Sequence, residues 1–254
     1  LDDIRYHLAY PDDYREGMPM YAMEKILIGD SNEDICIRLQ RLMAKISIRM
    51  DRSRLSDDVD MYVRSAKIGN CPRSTTVFVE NKVRDEEDCF PVGFMRKDTE
   101  AGNLNTSAEN SLSKEISLYM LENMQGSMDF EISEDDEKTF GKDDHRRKTC
   151  SYVELELEYS SDRFYSGSKG LIYRFYLGED RNNLDIERNC HYRITVTPED
   201  DGLSYGGWRV DKSGLYDYGP ASFKAYPSDY MVGDIGDKIH IWCEVTPRHA
   251  PFDV

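Results

Sequence analysis

The chain has 254 residues and a net charge of −16, from 49 acidic and 33 basic side chains. That balance favours solubility, repels polyanions and leaves no basic patch for a nucleic acid to meet. No apolar run approaches the ~18 residues needed to span a bilayer, and a chain this long buries roughly 70% of its unfolded surface, enough for a core without cross-links.

Residues 1–24 are polar and broken by Pro and Gly, and the opening LDDIRYHLAYPDDYREG lacks the apolar stretch of a signal peptide. Ile26–Ile28 reads as a short strand ended by Gly29-Asp30. In the following IRLQRLMAKISIRMD, Ile37 and Leu39 share one parity, and Leu42, Ala44, Ile46, Ile48 and Met50 share the other. Arg41, Lys45, Ser47 and Arg49 then face outward. The phase flips near Gln40–Arg41, so a strand here needs a bulge or break. A helix competes for this run, but the long alternation favours strand. Met61–Ala66 and Thr75–Glu80 are further strand candidates, and 81–110 is loop-like. Residues 116–126 are ambiguous. Leu112, Ile116, Tyr119, Met120 and Met124 fit a helix stripe closed by Gly126, while Ile116, Leu118 and Met120 also alternate as in a strand. The charged stretch 127–148 is the best domain boundary.

The second half opens on Val153, Leu155, Leu157 and Tyr159, alternating with Glu154, Glu156 and Glu158. In Gly170–Thr197, Leu171, Tyr173, Phe175 and Leu177 alternate with Ile172, Arg174 and Tyr176; after an Asn-rich connection Cys190, Tyr192, Ile194 and Val196 alternate with His191, Arg193 and Thr195. Two such runs around a polar loop predict a β-hairpin. A Gly-rich turn, the short strand GWRVD and a hairpin-like unit with Ile239, Ile241, Cys243 and Val245 finish the chain. Closely spaced strands with turn punctuation predict an all-β fold of antiparallel sandwiches.

Candidate chemistry is thin. Gly202-Leu-Ser204-Tyr-Gly206 spells a nucleophile elbow, with Asp211 or Asp234 and His240 as partners. That motif needs a strand before it and a helix after it; PEDD precedes and a strand follows, so a turn is the better reading. Glu154, Glu156 and Glu158 could pair carboxylates for glycoside hydrolysis, but read better as a solvated strand face matched to neighbouring Arg or Lys. Asp180 to Asp185 lacks the glycine of a calcium loop, and Asp135-Asp136 and Asp143-Asp144 fare no better; Asx turns explain all three. The histidines at 7, 145, 191, 240 and 249 are dispersed, with His191 and His240 at outward strand positions. Six cysteines, at 36, 71, 89, 150, 190 and 243, form no CxxC. They read as buried thiols, or as bridges in an oxidising compartment with Cys71–Cys89 the best pair. Trp208 and Trp242 read as packing residues rather than a sugar platform. No catalytic, cofactor-binding or metal-ligating residue is assigned, and no cofactor is expected.

Four segments, in order, resemble the fimbrillins of Bacteroidales, surface pilus subunits with two transthyretin-like β-sandwich domains. They are Leu39–Ile46, with its arginine; Tyr119-Met-Leu-Glu122-Asn123 through Gly126; Thr149-Cys-Ser-Tyr152-Val-Glu-Leu; and Tyr173–Gly178 with Arg188-Asn189-Cys-His-Tyr192-Arg-Ile194. The family has a proline where this chain has Leu121. The resemblance implies strand, not helix, over 116–123. It implies an N-terminal sandwich over 1–130, a linker over 131–148, a C-terminal sandwich over 149–220, and an added hairpin or further domain over 221–254. It further implies a non-enzymatic structural or adhesive subunit, exported as an outer-membrane lipoprotein whose lipid anchor lies outside this chain. Subunits of the family join by β-strand addition after proteolysis of an early strand, so other fimbrial subunits are the expected partners, with host proteins or glycans besides. Arg5, Arg15 and Arg38 are the residues an arginine-specific protease could use, Arg38 least because it would fall within a strand. A surface glycan-binding lipoprotein of the same architecture is the second reading and a secreted hydrolase the third.

Overall fold

The computed structural model describes residues 2–14, 17–25, 37–97, 99–106, 109–128, 140, 143–161, 165–200, 202, 207–214, 222–226 and 242–246. Residues 165–170, 207–214, 222–226 and 242–246 are described in backbone only. The expected strand at Ile26–Ile28 lies outside the described residues.

Alternating apolar positions become strands. In chain order they are β1 (Arg5–His7), β2 (Met20–Tyr21), β3 (Gln40–Arg41), β4 (Met43–Met50), β5 (Val59–Gly69), β6 (Ser74–Thr76) and β7 (Met95–Lys97). There follow β8 (Ile116–Leu121), β9 (Tyr152–Ser161), β10 (Tyr165–Tyr176), β11 (Cys190–Thr197), β12 (Gly207–Gly214), β13 (Ser222–Tyr226) and β14 (Trp242–Thr246). A single helical turn, Arg146–Thr149, precedes β9. Residues 116–121 are strand, as the resemblance implies.

Two four-stranded sheets carry the fold, ordered β10-β9-β5-β7 and β12-β11-β4-β8. Their inner faces share one core. Ile46, Ile48, Leu118, Tyr192 and Ile194 come from one sheet, and Val63, Leu155, Leu157 and Phe175 from the other. Each such side chain contributes about 1.5–3 kcal/mol on burial.

The sheets combine strands from both halves of the chain, and one expectation, the hairpin over 170–197, is corrected. The stretch 131–148 does not separate two sandwiches among the described strands. β5 pairs antiparallel with β9, and β4 pairs parallel with β11, so both sheets draw on both sides of it. The parallel β4–β11 ladder also makes its sheet mixed rather than purely antiparallel. Such pairs need long crossovers, and the chain between them runs through the opposite sheet. Nor do the two runs of 170–197 form a hairpin. β10 pairs with β9, while β11 pairs with β12 and β4. Their connection is an arch held by buried Leu184 and Ile186, and the amide and carbonyl of Ile186 bond those of Asn123. A strand alternation reports one buried face; it does not report which sheet the face belongs to.

The phase flip at Gln40–Arg41 is a real break. Leu42 turns inward and its amide donates to the Pro19 carbonyl (2.9 Å), while β3 leaves to pair with β2. Lys45, Ser47 and His191, expected outward, are buried. Their face of the sheet is partly roofed by the segment before β2, where the Tyr14 ring tilts onto Tyr119 with centroids 5.7 Å apart. Beyond β12, β13 and β14 pair antiparallel.

Leu155, in the second strand of its sheet, is 0% exposed and Ile172, on β10, is 60% exposed. Leu155→Ala is expected to cost about 3 kcal/mol and Ile172→Ala less than about 0.5 kcal/mol, read as urea midpoints.

Candidate functional site

β8 ends in Glu122-Asn123, and β11 begins behind Arg188-Asn189; all four side chains are buried. Asn189 takes a left-handed φ of 57°, a conformation asparagine tolerates. Its amide bonds the Met43 carbonyl at 3.0 Å and its side-chain oxygen accepts from the Arg41 amide at 3.3 Å, so β11 is set beside β4.

Arg188 is turned by this geometry toward Glu122. Its Nη2 donates to Glu122 Oε2 and to the carbonyls of Thr76 and Val79, each at 2.9 Å, and its Nη1 to the Val77 carbonyl at 2.7 Å. Glu122 Oε2 also accepts from the Asn81 amide at 2.8 Å, and Oε1 from the Arg188 amide at 3.3 Å. The Asn81 side chain returns a bond to the Glu122 carbonyl at 2.9 Å. A buried ion pair is tolerable only when its remaining donors and acceptors are filled this way. Asn123 does the same without charge. It donates to the Thr149 carbonyl (2.8 Å) and Ser151 Oγ (2.9 Å), and accepts from the Val83 amide (3.2 Å) and Gln125 (2.6 Å).

The carbonyls that Arg188 holds belong to the end of β6 and the residues after it. Among the described residues, β6 pairs with β1 alone, with Arg5 opposite Thr76, Tyr6 opposite Thr75 and His7 opposite Ser74. The Leu8 amide extends the ladder to the Arg73 carbonyl, and the Val77 amide reaches the Ile4 carbonyl, both at 2.9 Å. Leu8 is buried in the main core, and Arg5 Nη2 bonds Ser74 Oγ at 2.9 Å. Residues 4–8 are therefore an extended segment added to an edge by backbone bonds, with Leu8 in the core and Tyr6 packed against it. Sequence reasoning missed it, although Ile4, Tyr6 and Leu8 alternate; the run is too short to stand out among polar neighbours.

The other candidates fall apart as chemistry. Glu154 lies between Lys67 Nζ (2.6 Å) and Arg174 Nη2 (2.5 Å); burial works against its charge, and the two cations outweigh it to hold the carboxyl below its ordinary range. Glu156 accepts from Ser65 and Glu158 from Arg64, so the stripe is a cross-strand ladder. Asp180 caps the amides of Asn182 and Asn183, each at 2.8 Å, an Asx turn. Among the described residues no cluster of His, Cys, Asp and Glu could hold a metal. His191 Nε2 meets Ser47 Oγ at 2.8 Å, and Ser47 meets Ser117 at 2.7 Å. Burial, then Lys45 and Arg193, push this histidine down to about 4, so the ring is neutral at pH 7. Gly202, at φ 70°, accepts a bond from the Tyr173 hydroxyl. Ser204, Asp234, His240, His249, Cys36, Asp135, Asp136 and Arg15 lie outside the described residues, and Asp211, Trp208, Trp242 and Cys243 are described in backbone only. Arg5 sits in β1, and Arg38 is exposed outside any strand, contrary to expectation.

A family model described as a domain of unknown function (DUF4906) matches residues 118–196, less than a third of the chain. That window holds Glu122, Asn123, Arg188 and Asn189 together. No curated protein matches the chain. Among solved structures, the C-terminally truncated tip fimbrial protein Mfa3 of Porphyromonas gingivalis matches at 15% identity and a TM-score of 0.45, over 83% of this chain and 68% of that one. A proposed cell adhesion protein of Parabacteroides distasonis matches at 13% identity and TM-score 0.46, over 70% and 60%. A fimbrial protein of Bacteroides vulgatus matches at 8% identity and TM-score 0.36, over 70% and 56%. These structural neighbours carry fimbrial or cell-adhesion descriptions. This chain spans between about half and two thirds of their lengths, and at these identities and TM-scores they carry no argument about what it does.

Glu122→Gln leaves the Arg188 charge buried without its counter-ion. The substitution is expected to lower stability by about 3–5 kcal/mol, measured by urea unfolding; Glu158→Gln, which breaks an exposed pair, is expected to cost less than about 1 kcal/mol.

Proposed function

We propose that the chain is a non-enzymatic, adhesive structural subunit of a cell-surface fimbria, and that subunits join by exchanging an extended strand. One observation carries the reading. β1 is held to β6 by a short backbone ladder and by Leu8 in the core. Backbone bonds are indifferent to sequence, and an alternate side chain in a pocket supplies selectivity; that is the physics of β-augmentation. An equivalent segment from another subunit could take the place of residues 4–8 without disturbing the two sheets. The four sequence motifs point the same way. In this reading the partners are other fimbrial subunits, with host proteins or glycans as adhesion ligands, and the protein sits at the outer membrane as a lipoprotein. The alternating carboxylates pair with residues of neighbouring strands, Glu154 in a buried position, and the binding face is backbone.

Arg5, Arg15 and Arg38 lie before β4; Arg5 and Arg38 are both exposed, and Arg38 lies outside any strand. Limited cleavage by an arginine-specific protease is expected to release the segment carrying β1 and convert monomers into oligomers on light-scattering chromatography. A synthetic peptide of residues 2–14 in excess should cap them. Cleaved protein that loses β1 yet stays monomeric contradicts strand exchange.

A further inference from the structure

The N-terminal segment grips residues 73–78 at two places. Residues 4–8 lie along β6, with the Val77 amide on the Ile4 carbonyl and the Leu8 amide on the Arg73 carbonyl. The chain then turns away. Asp13 Oδ2 accepts from the Ala9 amide at 2.8 Å, the Tyr14 ring meets Tyr119, and the Pro19 carbonyl accepts from the Leu42 amide at 2.9 Å. β2 follows, and its Tyr21 returns to the stretch that β1 left. The Tyr21 ring meets Phe78 edge-on, with centroids 5.7 Å apart. The guanidinium carbon of Arg188 lies 5.4 Å from the centre of the same ring. The Tyr21 hydroxyl donates to Gln40 Oε1 at 2.9 Å, across the β2–β3 pair.

The two grips differ in kind. β1 is held by a ladder of three residue pairs and by Leu8, and a short ladder of this sort opens locally without the sheets opening. Tyr21 lies against the buried guanidinium that already holds the carbonyls of Thr76, Val77 and Val79. That cation is fixed by its own bonds and cannot follow the ring into water. An edge-on aromatic pair and a partly desolvated cation–π contact each multiply a binding constant by about two- to thirtyfold. The firmer hold on the N-terminal segment is therefore at its far end, on β2.

We propose that Tyr21 is a latch: it retains the N-terminal segment after cleavage, so that scission and strand exchange are separate steps. The inference rests on the strand-exchange reading and adds the residue that times it. Arg38 lies in the connection between β2 and β3 and is exposed. A cut there severs residues 1–38 from the rest of the chain and leaves every contact described above in place. An incoming strand displaces β1 first, because that ladder opens alone. The old segment leaves only when Tyr21 lifts from Arg188 and Phe78, and Tyr21 thereby sets the rate at which a cleaved subunit gives up its N-terminal segment.

Native mass spectrometry of the cleaved chain tests the latch by following the fragment that ends at Arg38 after dilution. The fragment is expected to leave Tyr21→Ala about tenfold faster than wild type, or more. Tyr21→Phe keeps both ring contacts and loses only the Gln40 bond, so its fragment should leave within about threefold of the wild-type rate. The uncut chain gives a second reading by hydrogen exchange. In Tyr21→Ala the Leu42 amide, which is bonded to Pro19, should exchange about tenfold faster, with the Ile194 amide unchanged. Equal departure from wild type and Tyr21→Ala, departure from Tyr21→Phe as fast as from Tyr21→Ala, or a Leu42 amide that speeds up only together with Ile194 overturns the proposal. Both measurements read retention of the segment and not oligomers, so their failure is distinct from a failure of strand exchange itself.

Discussion

A buried carboxylate facing a buried guanidinium decides where three stretches of backbone meet. Glu122 comes from the end of β8, Arg188 from the start of β11, and the carbonyls of Thr76, Val77 and Val79 from the segment after β6. Desolvating the pair costs several kcal/mol per ion, and attraction alone does not recover it. The added bonds do: Arg188 also reaches three backbone carbonyls and Glu122 two backbone amides, and charge-assisted bonds are about twice as strong as neutral ones. The arrangement is therefore specific.

From that constraint the rest follows in order. Asn123 and Asn189, the neighbours of the pair, bond the surrounding segments and seat β11 beside β4. That parallel pairing commits the chain to two sheets that each draw on both halves. The same carbonyl clamp positions β6 with its edge available, and β1 occupies it. β1 pairs over three residues, against ten for β9 in the sandwich. Local stability scales with buried apolar contact and protected backbone bonds, so the fold contains a firm sandwich and short, lightly held strands, β1 among them.

Much of the fold was legible where one face of a strand is buried. The alternations at 43–50, 152–161 and 190–197 became strands, and the parity flip at Gln40–Arg41 became a break. Sheet membership was not legible, because Tyr173 and Tyr192 show the same period whether they share a sheet or face each other across a core. Burial of Ser47 and His191 was hidden for a similar reason: polar residues at outward parity look solvated until another segment covers them. The candidate site was half legible. Glu122 and Arg188 stood in motifs, but nothing in their 66-residue separation announced an ion pair. Ile4, Tyr6 and Leu8 carried a true signal too short to weigh.

The account stands on β1 being the weakly held strand of an otherwise firm sandwich. Native-state hydrogen exchange measures that directly. The amides of Leu8 and Val77, which close the β1–β6 ladder, should exchange through local opening, at least a hundredfold faster than those of Ile46 and Ile194 in the β4–β11 ladder, and with little dependence on denaturant. Equal protection at all four, rising and falling with global unfolding, would mean that β1 is an integral strand of the core and not one that another subunit can replace.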